Sequence, residues 1–187
     1  MKFEIIKYSN ATKTQWSGGL TAQLYIKPDN YTVKDDFDIR ISVASINPGE
    51  NDFTFYRGYE RILVILKGSI EISSKNSKFE NLKEFKIHEF SGNDSTKSKA
   101  LQISEDFNVI YKKNKYNIEA KIIDNKEFEE IEIFRDNYIY NYDGISEIKF
   151  ENQDIVLKSK ELLLLRELDE KKCSIKGKVI LIKVIKR

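Results

Sequence analysis

The chain is expected to be all-β, a sandwich or barrel of many short strands. Three observations predict this. Apolar residues recur with period two along much of its 187 residues, the spacing of half-buried strands. Turn signals built from Gly, Pro, Asn and Asp punctuate those runs. The runs do not alternate with long amphipathic helices, which βαβ units would require.

Taken in order, residues 1–7 alternate in a strand-like way, and the clearest strands are expected at 20–26, 37–46, 61–66 and 70–73. Further strands are expected at 107–112, 131–134, 137–142, 155–157 and 179–185. Between them stand Pro28-Asp29-Asn30, Asn47-Pro48-Gly49, Lys67-Gly68, Ser91-Gly92-Asn93-Asp94, Asp143-Gly144 and Lys176-Gly177, all read as turns. Residues 161–172 conflict with this pattern, being rich in leucine, glutamate and lysine, all good helix formers. Strand is expected for Leu162 to Leu165, because a lone helix would need a sheet face to cover.

Two halves share a unit in which a Gly turn leads into an alternating strand. These are Lys67-Gly68-Ser69-Ile70-Glu71-Ile72 and Lys176-Gly177-Lys178-Val179-Ile180-Leu181. A division into residues 1–115 and 116–187 is expected, the first carrying the binding pocket.

Composition excludes several functions. Hydrophobic residues make up 40% of the chain, enough for a core. Charges are balanced, 32 basic against 30 acidic, and are interspersed. That is not the concentrated basic face of a nucleic-acid binder, and no nucleic-acid partner is expected. The basic clusters at 112–115 and 183–187 are read as charges that protect strands. Cys173 is the only cysteine, so no intramolecular disulfide forms, which fits a reducing cytoplasm. The first residues show no apolar signal core. Leu162 to Leu165 is far too short to span a bilayer. A cytoplasmic protein with no membrane partner is therefore expected.

Metal and nucleophilic chemistry find little support. A histidine-based metal site needs convergent imidazoles, and His88 stands alone, read as a partly exposed strand residue. Asp35-Asp36-Phe37-Asp38 reads as a solvated turn. No metal and no cofactor are expected. Cys173 is placed in a turn beside Lys171 and Lys172, whose charge would lower its pKa. No serine sits in a nucleophile-elbow context, and a hydrolytic triad is not expected.

The arginines are more informative. Arg40 shares a strand face with Asp38 and Ser42, and Arg61 opens the apolar strand Arg61-Ile62-Leu63-Val64-Ile65-Leu66. Guanidinium suits bidentate binding of a carboxylate. Two readings stand level: a ligand clamp, or internal pairing with Asp38, Asp106 or Glu60. Asp106 and Asn108 share a face in Asp106-Phe107-Asn108, either beside a guanidinium or as an Asx turn opening the strand. Trp16 precedes Ser17-Gly18-Gly19, which suggests a ring held over a tight backbone turn.

These segments carry a resemblance. Residues 16–24 (Trp16-Ser17-Gly18-Gly19-Leu20-Thr21 and onward), 37–44 (Phe37-Asp38-Ile39-Arg40 and onward), 52–61 (Asp52-Phe53-Thr54-Phe55-Tyr56-Arg57-Gly58-Tyr59-Glu60-Arg61), Phe90-Ser91-Gly92 and 106–113 resemble the HutD/Ves family of bicupins. That family is associated with bacterial histidine utilisation. The resemblance implies two fused RmlC-like cupin β-barrels, or jelly rolls, without the metal-binding histidines of enzymatic cupins. It also implies a small-molecule binder with a regulatory or sensing role, whose partner is an acidic metabolite like urocanate or formylglutamate. Carried over by position, the ligand site comprises Trp16, Thr21, Gln23, Arg40, Ser42, Tyr59, Arg61, Asp106 and Asn108. Two departures stand out. Arg57 replaces the family's usual proline, which loosens the turn or adds a cation at the mouth, and Leu20 precedes Thr21 in a shorter glycine segment.

Three functions follow as expectations. The first is metal-independent binding of a small carboxylate, clamped by Arg40 and Arg61, covered by Trp16 and oriented by Asp106 and Asn108. The second is an isomerase- or lyase-type enzyme with Asp106 as general base, its pKa raised by burial. The third is an interaction scaffold, in which Tyr138-Ile139-Tyr140-Asn141-Tyr142 lines a homodimer seam or forms an ordinary two-faced strand.

Overall fold

The computed structural model describes residues 2–150 and 152–187. In chain order the strands begin with β1 (Lys2–Lys7), β2 (Thr12–Trp16), β3 (Gly19–Lys27), β4 (Ile39–Ile46) and β5 (Gly49–Asp52). They continue as β6 (Tyr59–Lys67), β7 (Ser69–Ser74), β8 (Glu80–Lys83), β9 (Ile87–Ser91) and β10 (Thr96–Ala100). The last are β11 (Ser104–Lys112), β12 (Tyr116–Phe150), β13 (Gln153–Lys158) and β14 (Glu161–Lys186). A single 3-10 turn, Tyr8–Asn10, is the only helical element among the described residues. The protein is all-β.

Each expected strand run meets one of these elements, but the run expected at 37–46 begins only at Ile39, and residue 1 of the first run lies outside the described residues. The strands that alternation missed are β2, β5, β8 and β10, with sequences such as Gly-Glu-Asn-Asp and Thr-Lys-Ser-Lys-Ala. They carry too few apolar residues for a period-two signal. Three of them, β2, β5 and β8, are edge strands, where charge and polarity discourage pairing with other chains. Leu162 to Leu165 forms strand within β14, paired to β1 on one side and to β12 on the other. All four leucines are buried, which is why this strand reads as a continuous apolar run.

The chain divides into two compact units. One is Ala11–Lys115; the other joins Met1–Asn10 to Tyr116–Arg187. The expected first segment began at residue 1, but β1 lies along β14 from Lys2↔Arg166 to Lys7↔Glu161. The leucines of β14 need a partner strand on that side.

In the unit of residues 11–115, a six-stranded half-barrel sheet runs β2-β3-β4-β11-β6-β9, and a four-stranded sheet runs β5-β10-β7-β8. Ile46, Leu63, Ile65 and Phe90 of the first pack with Ile70, Ile72, Leu82 and Ala100 of the second. Burial of such side chains stabilises the fold by roughly 1.5–3 kcal/mol each. The opposite face of the central strands, including Ile39, Ile41, Ile62, Val64 and Phe107, is also buried.

In the second unit the sheet order is β1-β14-β12-β13, around a core of Ile, Leu and Val side chains that includes Cys173. Three expectations are corrected here. Asp143-Gly144 and Lys176-Gly177 are not chain reversals but bends inside β12 and β14, where the glycines take positive φ. Cys173 is a buried strand residue rather than a turn residue, and burial pushes its thiol up to about 11. Tyr138 to Asn141 are fully buried and Tyr142 is half-buried, so this run is an interior strand with both faces covered rather than an exposed seam.

The two glycine units match in detail. A Cβ on Gly68 would lie 2.7 Å from Ser104 Oγ, and one on Gly177 would lie 2.3 Å from Ser146 Oγ. Both serines sit in an Ile-Ser-Glu sequence, and the register pairs Glu105 with Lys67 and Glu147 with Lys176. The residue after each Glu differs: Asp106 in one unit, the core residue Ile148 in the other. Among the described residues no helix is long and apolar enough to cross a membrane.

Candidate functional site

Residues directly opposed in antiparallel strands share one face. Three such rows cross the half-barrel. The first is Thr14, Thr21, Ala44 and Asp106. The second is Gln23, Ser42 and Asn108. The third is Ile26, Arg40, Ile110, Arg61 and Phe90. A β-bulge between Gln23 and Tyr25 takes Leu24 out of register, which brings Ile26 rather than Tyr25 opposite Arg40.

Apart from Gln23, Ile26 and Phe90, the residues of these rows line a cavity of about 500 Å³. That is within the size range of small-molecule sites. Trp16, Thr21, Arg40, Ser42, Arg61, Asp106 and Asn108 all line it. Gln23 and Tyr59 lie outside the lining. Gln23 Oε1 accepts from Arg40 Nε at 3.1 Å and so holds that side chain in place. Tyr59 donates its hydroxyl to the Phe37 carbonyl at 2.6 Å and packs behind Tyr56, with ring centroids 5.9 Å apart.

Trp16 closes one side. Its ring rests on Gly18, where a Cβ would lie 2.1 Å from the indole. Gly19 approaches β4 so closely that a Cβ would meet the Ser45 carbonyl at 1.9 Å. The paired glycines therefore do two separate jobs, a seat for the ring and a close backbone approach. The indole Nε1 is buried with no hydrogen-bond partner.

Sequence reasoning missed the residues of the loop after β5. Phe53, Thr54, Phe55 and Tyr56 line the cavity without belonging to any strand. Their only signal was membership of the segment 52–61. Arg61 lies against Phe53 of this loop and Phe90 of β9, with Cζ 4.8 Å from the first ring centroid and 4.9 Å from the second. Such cation–π contacts offset part of the cost of burying a guanidinium. Its Nη1 donates to the Thr54 carbonyl at 3.2 Å, while Nε is buried without a partner. Arg57 is exposed and does not line the cavity.

The structure decides between the pairings considered for the arginines. Asp38 pairs with Lys112 and Lys115, at 3.4 and 2.8 Å. Glu60 pairs with Lys113 at 2.7 Å. Neither neutralises Arg40 or Arg61. Asp106 faces both arginines and acts on each electrostatically, but its Oδ1 is buried with no hydrogen-bond partner. Asn108 Oδ1 is likewise unpartnered.

The charges are strongly desolvated. Arg40, Arg61 and Asp106 are 8%, 5% and 2% exposed. Burial pushes the Asp106 carboxyl up to about 7, against the pull of Arg61 and Arg40. Burial lowers Arg61 to about 10, with Asp106 and Tyr56 opposing the shift. Arg40 is also lowered by burial, opposed by Tyr56 and Asp106. Two buried cations beside one carboxyl of ambivalent charge leave the cavity short of negative charge. An incoming anion corrects this.

His88 is half-buried on β9 opposite Leu63, and burial lowers its pKa. Among the described residues no group of three or more His, Cys, Asp or Glu side chains is gathered to hold a metal.

Comparison with solved structures places this architecture. The conserved protein of unknown function PA5104 from Pseudomonas aeruginosa PAO1 superposes with a TM-score of 0.91 at 17% identity, covering 98% of this chain and 99% of that one. HutD from Pseudomonas fluorescens SBW25 gives 0.85 at 18% identity, with full coverage of both chains. A cupin 2 conserved barrel domain protein from Leptotrichia buccalis gives 0.59 at 13% identity, over 97% and 96%. At these identities the likeness shows the fold, which is cupin-type. No curated protein matches by sequence. The sequence model of HutD matches residues 8–182, nearly the whole chain. The chain belongs to the HutD family.

Proposed function

We propose that this protein binds a small organic carboxylate in the cavity of residues 11–115, without a metal, and that it acts as a sensor in histidine utilisation. One observation carries the binding proposal: Arg40 and Arg61 face one cavity, buried, with no ion pair to Asp106, the carboxyl on the same wall. Burying unpaired guanidinium is costly. A ligand carboxylate repays that cost through charge-assisted hydrogen bonds of roughly 1.5–3 kcal/mol each. Trp16 covers the ligand's apolar part, and Asp106 with Asn108 meets its polar end.

The sensing role rests on family membership, and a cytoplasmic location goes with it. A bicupin architecture, with the second unit a barrel filled by its own core, is supported by the matched Gly68–Ser104 and Gly177–Ser146 contacts and by Ile148 standing where Asp106 stands.

Calorimetric titration with urocanate and N-formylglutamate, with chelator present, tests the proposal. Saturable binding that is lost when the carboxylates are converted to amides supports it. Absence of binding by either acid, or equal binding of the amides, overturns it.

A second reading has one observation in its favour. A buried carboxyl at about 7 facing a cavity is poised as a general base at neutral pH. Asp106 would then abstract a proton from a bound acid while the arginines hold its carboxylate. Turnover of a candidate acid that disappears in Asp106→Asn would establish this reading.

A further inference from the structure

β13 stands at the rim of its sheet, with β12 on one side and no strand on the other among the described residues. An unpaired strand edge is a template for another chain, and native proteins guard it with charge. The charges on β13 are also arranged to pair. Asp154, Val156 and Lys158 share its exposed face, while Ile155 and Leu157 point into the core. Val156 is 55% exposed, and Ile145, opposite Lys158 on β12, is 69% exposed. Among the described residues the side chains of Asp154 and Lys158 make no ion pair.

The backbone of this edge points the same way. In an antiparallel pair alternate residues bond across to the partner strand, and those between turn N–H and C=O to the far side. Lys158 N–H donates to Glu161 Oε2 at 2.8 Å, which marks Lys158 as one of the outward set. Val156 and Asp154, two and four residues back, belong to it too.

We propose that β13 is a self-association edge, along which two copies of this chain pair antiparallel about a two-fold axis at Val156. Only residues of the outward set can bond across such a seam. This register aligns all three, with Asp154 of each copy opposite Lys158 of the other. Directly opposed residues share a face, so two carboxylate–ammonium contacts flank a contact between the two Val156 side chains. The interface is isologous and closes as a dimer. On pairing, Lys158 N–H exchanges the Glu161 side chain for the Asp154 carbonyl of the second copy.

The other edge strands lack this match. β2 has no acidic residue and β5 no basic one. On β8 and β9 the acidic and basic residues, Glu80 with Lys83 and His88 with Glu89, are an odd number of positions apart. They cannot both belong to one outward set. On β1, Glu4 is already held by Arg166 at 2.7 Å. Pairing over five residues makes a small interface, so a dissociation constant of about 10–100 µM is expected.

Sedimentation velocity of the full chain from about 5 to about 500 µM brackets that value. The wild type is expected to pass from monomer to dimer across the range, and less completely at high salt. Asp154→Lys and Lys158→Asp each set like charges opposite one another, and each should weaken association by at least about tenfold. The double variant Asp154→Lys/Lys158→Asp restores both pairs and with them the dimer. So does an equimolar mixture of the two single variants, whose charges complement only between unlike copies. Both positions are exposed, and thermal melts check that each variant folds. A wild type that stays monomeric to the highest concentration overturns the proposal. So does a dimer that the single variants leave unchanged, which would put the seam on another surface. Weakening in the single variants with no recovery in the double variant or the mixture overturns the pairing at Val156, and the proposal with it.

Discussion

Trp16 lies so close over Gly18 that a Cβ there would sit 2.1 and 2.2 Å from two atoms of its ring. The glycine is therefore a seat for the indole, and the indole is one wall of the cavity. Gly18→Ala should displace the ring without unfolding the chain, because the clash is with a side chain. Trp16 is the only tryptophan, so its emission reports this wall alone. A shifted emission maximum together with a loss of carboxylate affinity of about tenfold is expected. An unchanged spectrum would show that the ring is not held there.

Gly19 is a different case. A Cβ there would meet the Ser45 carbonyl at 1.9 Å, and its φ of +151° is one that side-chain-bearing residues rarely adopt. Backbone cannot yield as a ring can. Gly19→Ala should cost roughly 2–4 kcal/mol of stability, read from denaturant unfolding. A loss no larger than that of Gly18→Ala would contradict the close packing of β3 on β4.

Much of this was legible beforehand, for physical reasons that differ from residue to residue. Arg40 could be placed on one strand face with Ser42, and Asp106 on one with Asn108, because strand alternation fixes side-chain direction. Their neighbours across the sheet, Thr14 and Ala44, could not be found, because register between strands is not written in either strand alone. Phe53 and Tyr56 were hidden for another reason: they sit in a loop with no period to betray which way they point. Tyr59 was misplaced because its hydroxyl finds the Phe37 carbonyl, a contact made across 22 residues. Cys173 was misread because its lysine neighbours in sequence suggested a surface, whereas alternation along β14 turns its thiol into the core.

Asp106 should leave a mark on the pH dependence of stability. Its carboxyl rises from the ordinary 3.8 to about 7 on folding. Between those values the folded chain holds a proton that the unfolded chain has released. Its contribution to stability is therefore greatest at the acid end, falls as pH rises from about 4 to about 7, and is flat above. Other carboxylates with lowered values, such as Asp38, oppose this trend. The measurement is thus the difference in unfolding free energy between wild type and Asp106→Asn. That difference should decline across the window; a constant difference would show that Asp106 is not desolvated.

Gly68 and Gly177 should behave alike. Both take positive φ, 82° and 116°, and both press on a serine of the other strand. Alanine at either position should destabilise the chain by about 1–3 kcal/mol in chemical unfolding. A neutral effect at Gly177 alone would break the structural match between the two units.

The central claim is that Arg40 and Arg61 hold a carboxylate, and calorimetry of urocanate and N-formylglutamate on Arg40→Ala tests it most directly. Loss of one charge-assisted contact, roughly 1.5–3 kcal/mol, predicts affinity weaker by about 10- to 150-fold. Arg40→Ala that is folded and binds as tightly as wild type would contradict the clamp.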